Sequence, residues 1–124
     1  MRRRRILVAD DNPDSASSLA MLLSVMGHDT KAVNDGLAAV ELADQFKPDV
    51  VLLDIGMPGL NGLDAARRLR ERPWGKDVLL IALTGLGQEQ DRLRSEEAGF
   101  DAHLVKPVDG SVLDTLLSSW RYPD

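Results

Sequence analysis

The chain has 124 residues, 44% of them hydrophobic but only 4% aromatic, with a net charge of −5 and no cysteine. That length suits one core of the usual domain size, about 100–150 residues, filled by aliphatic side chains rather than rings. Without cysteine there is no disulfide framework, thiolate metal site or cysteine nucleophile, and no apolar run is long enough to span a bilayer or serve as a signal peptide. A soluble, cytoplasmic protein is expected, with residues 1–124 as a single domain.

Arg2, Arg3, Arg4 and Arg5 open the chain. No second basic stretch or interleaved aromatic residue accompanies them, so they are expected to be a solvated entry to the first strand and not a DNA contact. Residues 6–9 form the first apolar run. Pro13 then suits a first helical turn, and Ala16, Leu19, Ala20, Leu23 and Met26 recur at helical steps before Gly27, a left-handed stop. His28 is expected on the loop surface. A weaker strand pattern at 30–33 precedes Asp35, a cap for a helix carrying Leu37, Val40, Glu41 and Ala43. The run 50–53 ends at Asp54, and Met57-Pro58-Gly59 supplies turn chemistry. Leu63, Ala66, Leu69 and Arg70 predict a third helix that stops before Pro73. After an apolar run at 78–83, residues 88–98 are mostly charged or polar and predict a helix with a solvated face. A strand at 102–105 leads to Lys106 and Pro107, and Val112, Leu113, Leu116, Leu117 and Trp120 stripe the last helix. Strand and helix alternate five times, which predicts an α/β protein with a doubly wound, five-stranded parallel sheet and five helices.

In such a sheet, ligand chemistry collects at the carboxyl ends of the strands. Asp10 and Asp11 follow the first strand, Asp54 the third, Thr84 the fourth and Lys106 the fifth. Three carboxylates gathered there repel one another unless a cation shares the site. Mg²⁺ answers that need, because it takes oxygen ligands, keeps several waters and joins one or two carboxylates to a phosphate. A carboxylate beside the metal can attack a phosphoryl group, which makes Asp54 the expected nucleophile and Lys106 the fixed cation. The Thr84 hydroxyl is placed to hydrogen-bond a phosphoryl oxygen.

The strings VADDN at 8–12, LLDIGMPGLNG at 52–62, ALTG at 82–85 and LVKP at 104–107 make the chain resemble the receiver domains of two-component response regulators over essentially its whole length. DDNPDS at 10–15 and KPVD at 106–109 are more similar to receivers associated with hybrid histidine kinases. The resemblance implies a flavodoxin-like receiver fold, phosphotransfer to Asp54 from a histidine kinase or phosphotransfer protein, and switching of a protein-interaction surface. It implies Mg²⁺ ligation by Asp10, Asp11, Asp54 and the Gly56 main-chain carbonyl, phosphoryl contacts from Thr84 and Lys106, and a cis Lys106–Pro107 bond. The only chemistry implied is phosphorylation and dephosphorylation of the domain itself. His103 stands where the family more often has Tyr or Phe, and is expected to be an ordinary, partly exposed histidine. Gly56 and Leu86 replace the polar residues that often flank the site.

Other functions remain in view. A docking module of the same fold would not need the acidic and lysine set. A Mg²⁺ phosphohydrolase would need an acid–base carboxylate near the nucleophile, where Gly56 stands instead. Nucleotide binding would need a glycine-rich loop after the first strand, and the residues there are Asp-Asp-Asn-Pro.

Overall fold

The computed structural model describes residues 3–56, 61–85, 97–120 and 122. The apolar runs become strands β1 (Arg5–Ala9), β2 (Asp29–Val33), β3 (Val50–Asp54), β4 (Leu79–Thr84) and β5 (Ala102–Val105). They form one parallel sheet ordered β2-β1-β3-β4-β5. Among the described residues the helices are α1 (Pro13–Val25), α2 (Gly36–Phe46), α3 (Gly62–Arg70) and α4 (Gly110–Ser119), with a short 3₁₀ turn at Gly75–Asp77. The helix expected at 88–98 lies almost wholly outside the described residues, as does the Met57-Pro58-Gly59 turn. None of the described helices is long and apolar enough to cross a membrane.

Side chains alternate across each strand, so the sheet feeds two cores. Ile6 and Val8 of β1 join Leu52, Ile81, Leu113 and Leu117 beneath α1 and α4. Leu7 and Ala9 join Leu53, Leu80, Leu63 and Leu69 beneath α2 and α3. Every residue of β3 and β4 is buried, the pattern of parallel strands covered on both faces. The edge strand β2 is only half covered and exposes Lys31, which accounts for its weaker apolar signal.

Local chemistry sets the helix ends. Asn12 accepts the Asp14 and Ser15 amides at the start of α1, with Pro13 as the first helical residue, and Gly27 leaves the helix at φ +100°. Asp35 caps α2 by accepting the Ala38 amide at 2.7 Å. Asn61 and Asp109 cap α3 and α4 in the same way.

Several expectations need correction. Leu37 and Glu41 are exposed, and α2 buries Ala39, Val40 and Ala43, because the helix turns its small residues toward the sheet. Val112 is half exposed while Leu113 and Leu117 face the core. His28 is buried, not on the surface: the chain turns at Gly27, and the ring seals the amino end of β1, where Nδ1 accepts the Arg4 amide at 3.0 Å. Arg4 itself is not merely solvated, since its guanidinium lies 3.5 Å over the Tyr122 ring.

Arg70 does more than add to a helix face. Its Nε and one terminal nitrogen donate to the Gly99 carbonyl at 2.9 and 2.6 Å. The other terminal nitrogen donates to the Gly75 and Val78 carbonyls at 2.8 and 2.7 Å. Asp101 pairs with Arg70 at 2.7 Å and also accepts the Leu80 amide, so this guanidinium ties the end of α3 to the amino ends of β4 and β5.

Candidate functional site

The sheet order makes β1 and β3 neighbours from which the chain winds in opposite directions, and the crevice at such a switch point is where α/β sheets bind ligands. Register then decides which side chains meet there. Ala9 pairs with Leu53, so Asp10 emerges beside Asp54, the last residue of β3. Thr84 pairs with Val105, and the Lys106 amide donates to the Thr84 carbonyl at 2.7 Å, which brings Lys106 to the same edge.

Asp10, Asp54 and Thr84 are the buried polar residues of this edge. Lys106 Nζ lies 2.7 Å from Asp54 Oδ2 and 3.1 Å from Asp10 Oδ2. The remaining carboxylate oxygens are also engaged: Asp54 Oδ1 accepts the Gly56 amide at 2.9 Å, and Asp10 Oδ1 accepts the Asn12 amide at 3.0 Å. Asp11 is exposed, yet oxygens of Asp10, Asp11 and Asp54 all lie within 4.8 Å of one another.

Charge does not balance in this cluster. Three carboxylates face one ammonium, which leaves two negative charges uncompensated. The Asp11 carboxyl is accordingly pushed above its ordinary value, first by partial desolvation and then by the charges and hydrogen bonds of Asp54 and Asp10. Burial works against the Lys106 ammonium, but its hydrogen bonds to Asp54 and Asp10 and their charges together outweigh burial, and its pKa rises. A divalent cation with oxygen ligands fits the charge and donor set.

A cavity of about 440 Å³ opens beside Asp10 and Lys106, with Leu19, Leu22, Leu83 and Val108 on its walls. It gives a partly apolar approach to the acidic cluster. His103 is half-buried on β5, opposite Ala82, and Leu86 lies outside the described residues.

Structure thus brings together Asp10, Asp11, Asp54 and Lys106, with Thr84 one register step away. Two neighbours escaped the sequence. Asn34 reaches the Asp10 carbonyl at 3.1 Å, although Asn34-Asp35-Gly36 signals only a turn and a cap. At Gly62 an added Cβ would stand 2.4 Å from the Asp54 carbonyl oxygen, a role that its place at the end of the 52–62 motif did not reveal.

The sequence profile of the response regulator receiver domain matches residues 6–118. Protein PilH of Pseudomonas aeruginosa is 40% identical over 109 residues, covering 88% of this chain and 90% of PilH. The DNA-binding master regulator RpaA of Synechocystis is 35% identical over 85% of this chain, which spans 44% of RpaA's length. Among solved structures, the receiver domain of a sensor histidine kinase from Pseudomonas aeruginosa, with a magnesium ion coordinated in its active site cleft, is 32% identical. It superposes with a TM-score of 0.86, covering 96% of this chain and 98% of the other. Kinase-attached receivers and receivers of DNA-binding regulators both appear among these relatives. Fold, acidic cluster and profile agree, and the chain belongs to the response regulator receiver domain family of two-component signalling.

Proposed function

We propose that this chain accepts a phosphoryl group on Asp54 from a phosphohistidine of a histidine kinase or phosphotransfer protein, in a Mg²⁺-dependent reaction. The observation that carries this reading is the Lys106 ammonium bridging Asp54 and Asp10, with Asp11 completing a cluster in which three carboxylates face that one cation. Asp10, Asp11, Asp54 and the Gly56 carbonyl are the proposed ligands of the cation, which when bound offsets charge on the transferring oxygens. An Asp54 carboxylate oxygen forms the new bond to phosphorus as the nitrogen–phosphorus bond of the donor breaks, and the donor imidazole leaves with the electron pair. Lys106 holds Asp54 in place and stabilises the phosphoryl charge that develops. The Gly56 amide on Asp54 Oδ1 fixes the carboxylate's rotation and leaves the oxygen facing Lys106 as the attacking atom.

Once formed, the phosphorylated residue attracts the Thr84 hydroxyl and Lys106, which biases the loop after β4 and changes a surface for protein partners. Output runs through a protein partner or an attached domain, with no direct DNA contact by this chain. A cytoplasmic setting goes with a cysteine-free chain whose donor is a kinase phosphohistidine. A small-molecule phosphodonor with Mg²⁺ should add the mass of one phosphoryl group to the intact protein, and Asp54→Asn should abolish the gain. An undiminished gain in Asp54→Asn would show that another residue is the acceptor.

A further inference from the structure

The main-chain carbonyl of Asp10 sits where regular structure supplies no donor. Ala9 is the last residue of β1 in register with its neighbours, so the ladders stop before it. Asp14, four residues on, has its amide taken by the Asn12 side chain, and Pro13 has no amide to give. The donor comes instead from the end of β2: Asn34 Nδ2 reaches the Asp10 oxygen at 3.1 Å. On the other side of the same residue, the Asp10 amide donates to the Val33 carbonyl at 3.2 Å. Residues 33 and 34 therefore grip both backbone polar groups of Asp10.

This grip determines where two carboxylates point. The Asp10 side chain is divided between the Asn12 amide and Lys106, and Asp11 is the next residue of the same turn. If the Asp10 peptide rotated, Asp11 would swing away from Asp54 and the 4.8 Å cluster would open. Asn34 supplies no ligand atom to that cluster, and it is itself exposed, so it adds little to the core.

We propose that Asn34 is a positioning residue of the cation site: by holding the Asp10 carbonyl, it sets the turn from which Asp10 and Asp11 converge on Asp54. The inference rests on the cation-binding role given to that cluster under Proposed function. It extends that role to the loop after β2.

Mg²⁺ alone serves as the probe, titrated into the unphosphorylated protein and followed by amide NMR, with urea midpoints recorded in the absence of Mg²⁺. Asn34→Ala should raise the Mg²⁺ dissociation constant about fivefold, the factor that one ordinary hydrogen bond is worth, and should lower the metal-free midpoint modestly, as loss of one bond does. Asn34→Gln retains the amide donor at an exposed position and should recover most of the affinity. The inference is overturned if Asn34→Ala binds Mg²⁺ like the parent, if Asp35→Ala, which removes the neighbouring cap of α2 at a similar cost in stability, weakens Mg²⁺ equally, or if Asn34→Gln recovers nothing. A parent protein that does not bind Mg²⁺ would overturn the cation site together with the tether, whereas a binding parent with an unaffected Asn34→Ala removes the tether only.

Discussion

Replacing Gly62 with alanine tests how closely α3 must approach the strand that carries Asp54, the proposed phosphoacceptor. The new Cβ would stand 2.4 Å from the Asp54 carbonyl oxygen, 2.9 Å from the Ile55 Cα and 3.0 Å from the Asp54 carbonyl carbon. Ordinary contact begins near 3.4 Å, so the shortfall is about 1 Å, and the opposing atoms are backbone that cannot rotate aside. Overpacking of this kind costs about 1–3 kcal/mol, whereas alanine's better helix propensity returns roughly 0.5–1 kcal/mol. The clash wins, and a net loss of about 1–2 kcal/mol is expected. The displaced backbone carries Asp54, whose carboxylate is held 2.7 Å from Lys106, and a misplacement near 1 Å slows well-oriented chemistry by roughly 10- to 100-fold. Urea unfolding gives the first quantity, and a time course of intact mass with a small phosphodonor gives the second. Gly27→Ala is the control. It forces alanine to φ +100° with nothing within 4 Å, so it should lose stability without slowing phosphorylation. A Gly62→Ala protein with parental stability and rate would refute the close approach. Equal slowing in both variants would mean that the rate follows general stability and not the position of Asp54.

Burial is the first cause that pushes the His28 imidazole below its ordinary 6.5; Arg4 and the amino terminus add to it, and Asp114 opposes them. The unfolded chain therefore binds the proton first, and the stability that neutral His28 contributes is complete above pH 6.5 and is lost as pH falls toward the folded value. His28→Asn keeps an acceptor for the Arg4 amide but does not titrate, so the parent should lose more urea stability than this variant between pH 7.5 and 5; parallel losses would remove His28 as the cause. Arg70→Lys should destabilise by about 2–4 kcal/mol, because one compact ammonium cannot replace a planar fork serving four carbonyls and Asp101. An unchanged urea midpoint would show that those carbonyls find water instead. With a phosphoryl mimic on Asp54, hydrogen exchange should change more around Thr84, His103 and α4 than along α1, and changes confined to Asp10, Asp11 and Asp54 would count against a switching surface.

The sheet was legible because buried parallel strands leave near-continuous apolar runs, and β3 and β4 have no other way to be read. The site was legible for a related reason: strand ends in such a sheet share one edge, which puts Asp10 beside Asp54, and the long Lys106 side chain reaches both from beyond β4. Small residues misled. Alanine gives weak periodicity, so the pattern read for α2 included Leu37 and not Ala39, whereas Ala39, Val40 and Ala43 form its buried face. His28 and Arg70 could not be placed from pattern, since what surrounds each is main chain brought in by distant segments. Arg70 gathers carbonyls of residues 75, 76, 78 and 99, and His28 meets the amide of residue 4. Asn34 and Gly62 were missed because each acts on one backbone oxygen, whose direction no spacing of side chains encodes.

The capping side chains also bear on how a phosphoryl group can be held. Because every strand is parallel, α1, α2, α3 and α4 all begin at the edge that carries Asp54, and the positive ends of their dipoles gather there. Each start is closed by an Asn or Asp of the chain itself: Asn12, Asp35, Asn61 and Asp109 occupy first-turn amides that phosphate-binding loops of other α/β proteins leave open. Here the helices offer a phosphoryl anion a favourable long-range field but not a ready amide cradle. Among the described residues, the groups proposed to grip it are side chains at the strand ends, Lys106 and Thr84, together with a bound cation. Side chains can be exchanged singly without unwinding a helix. The hold on the anion, and with it the persistence of a signal, can therefore be retuned one residue at a time on an unchanged scaffold.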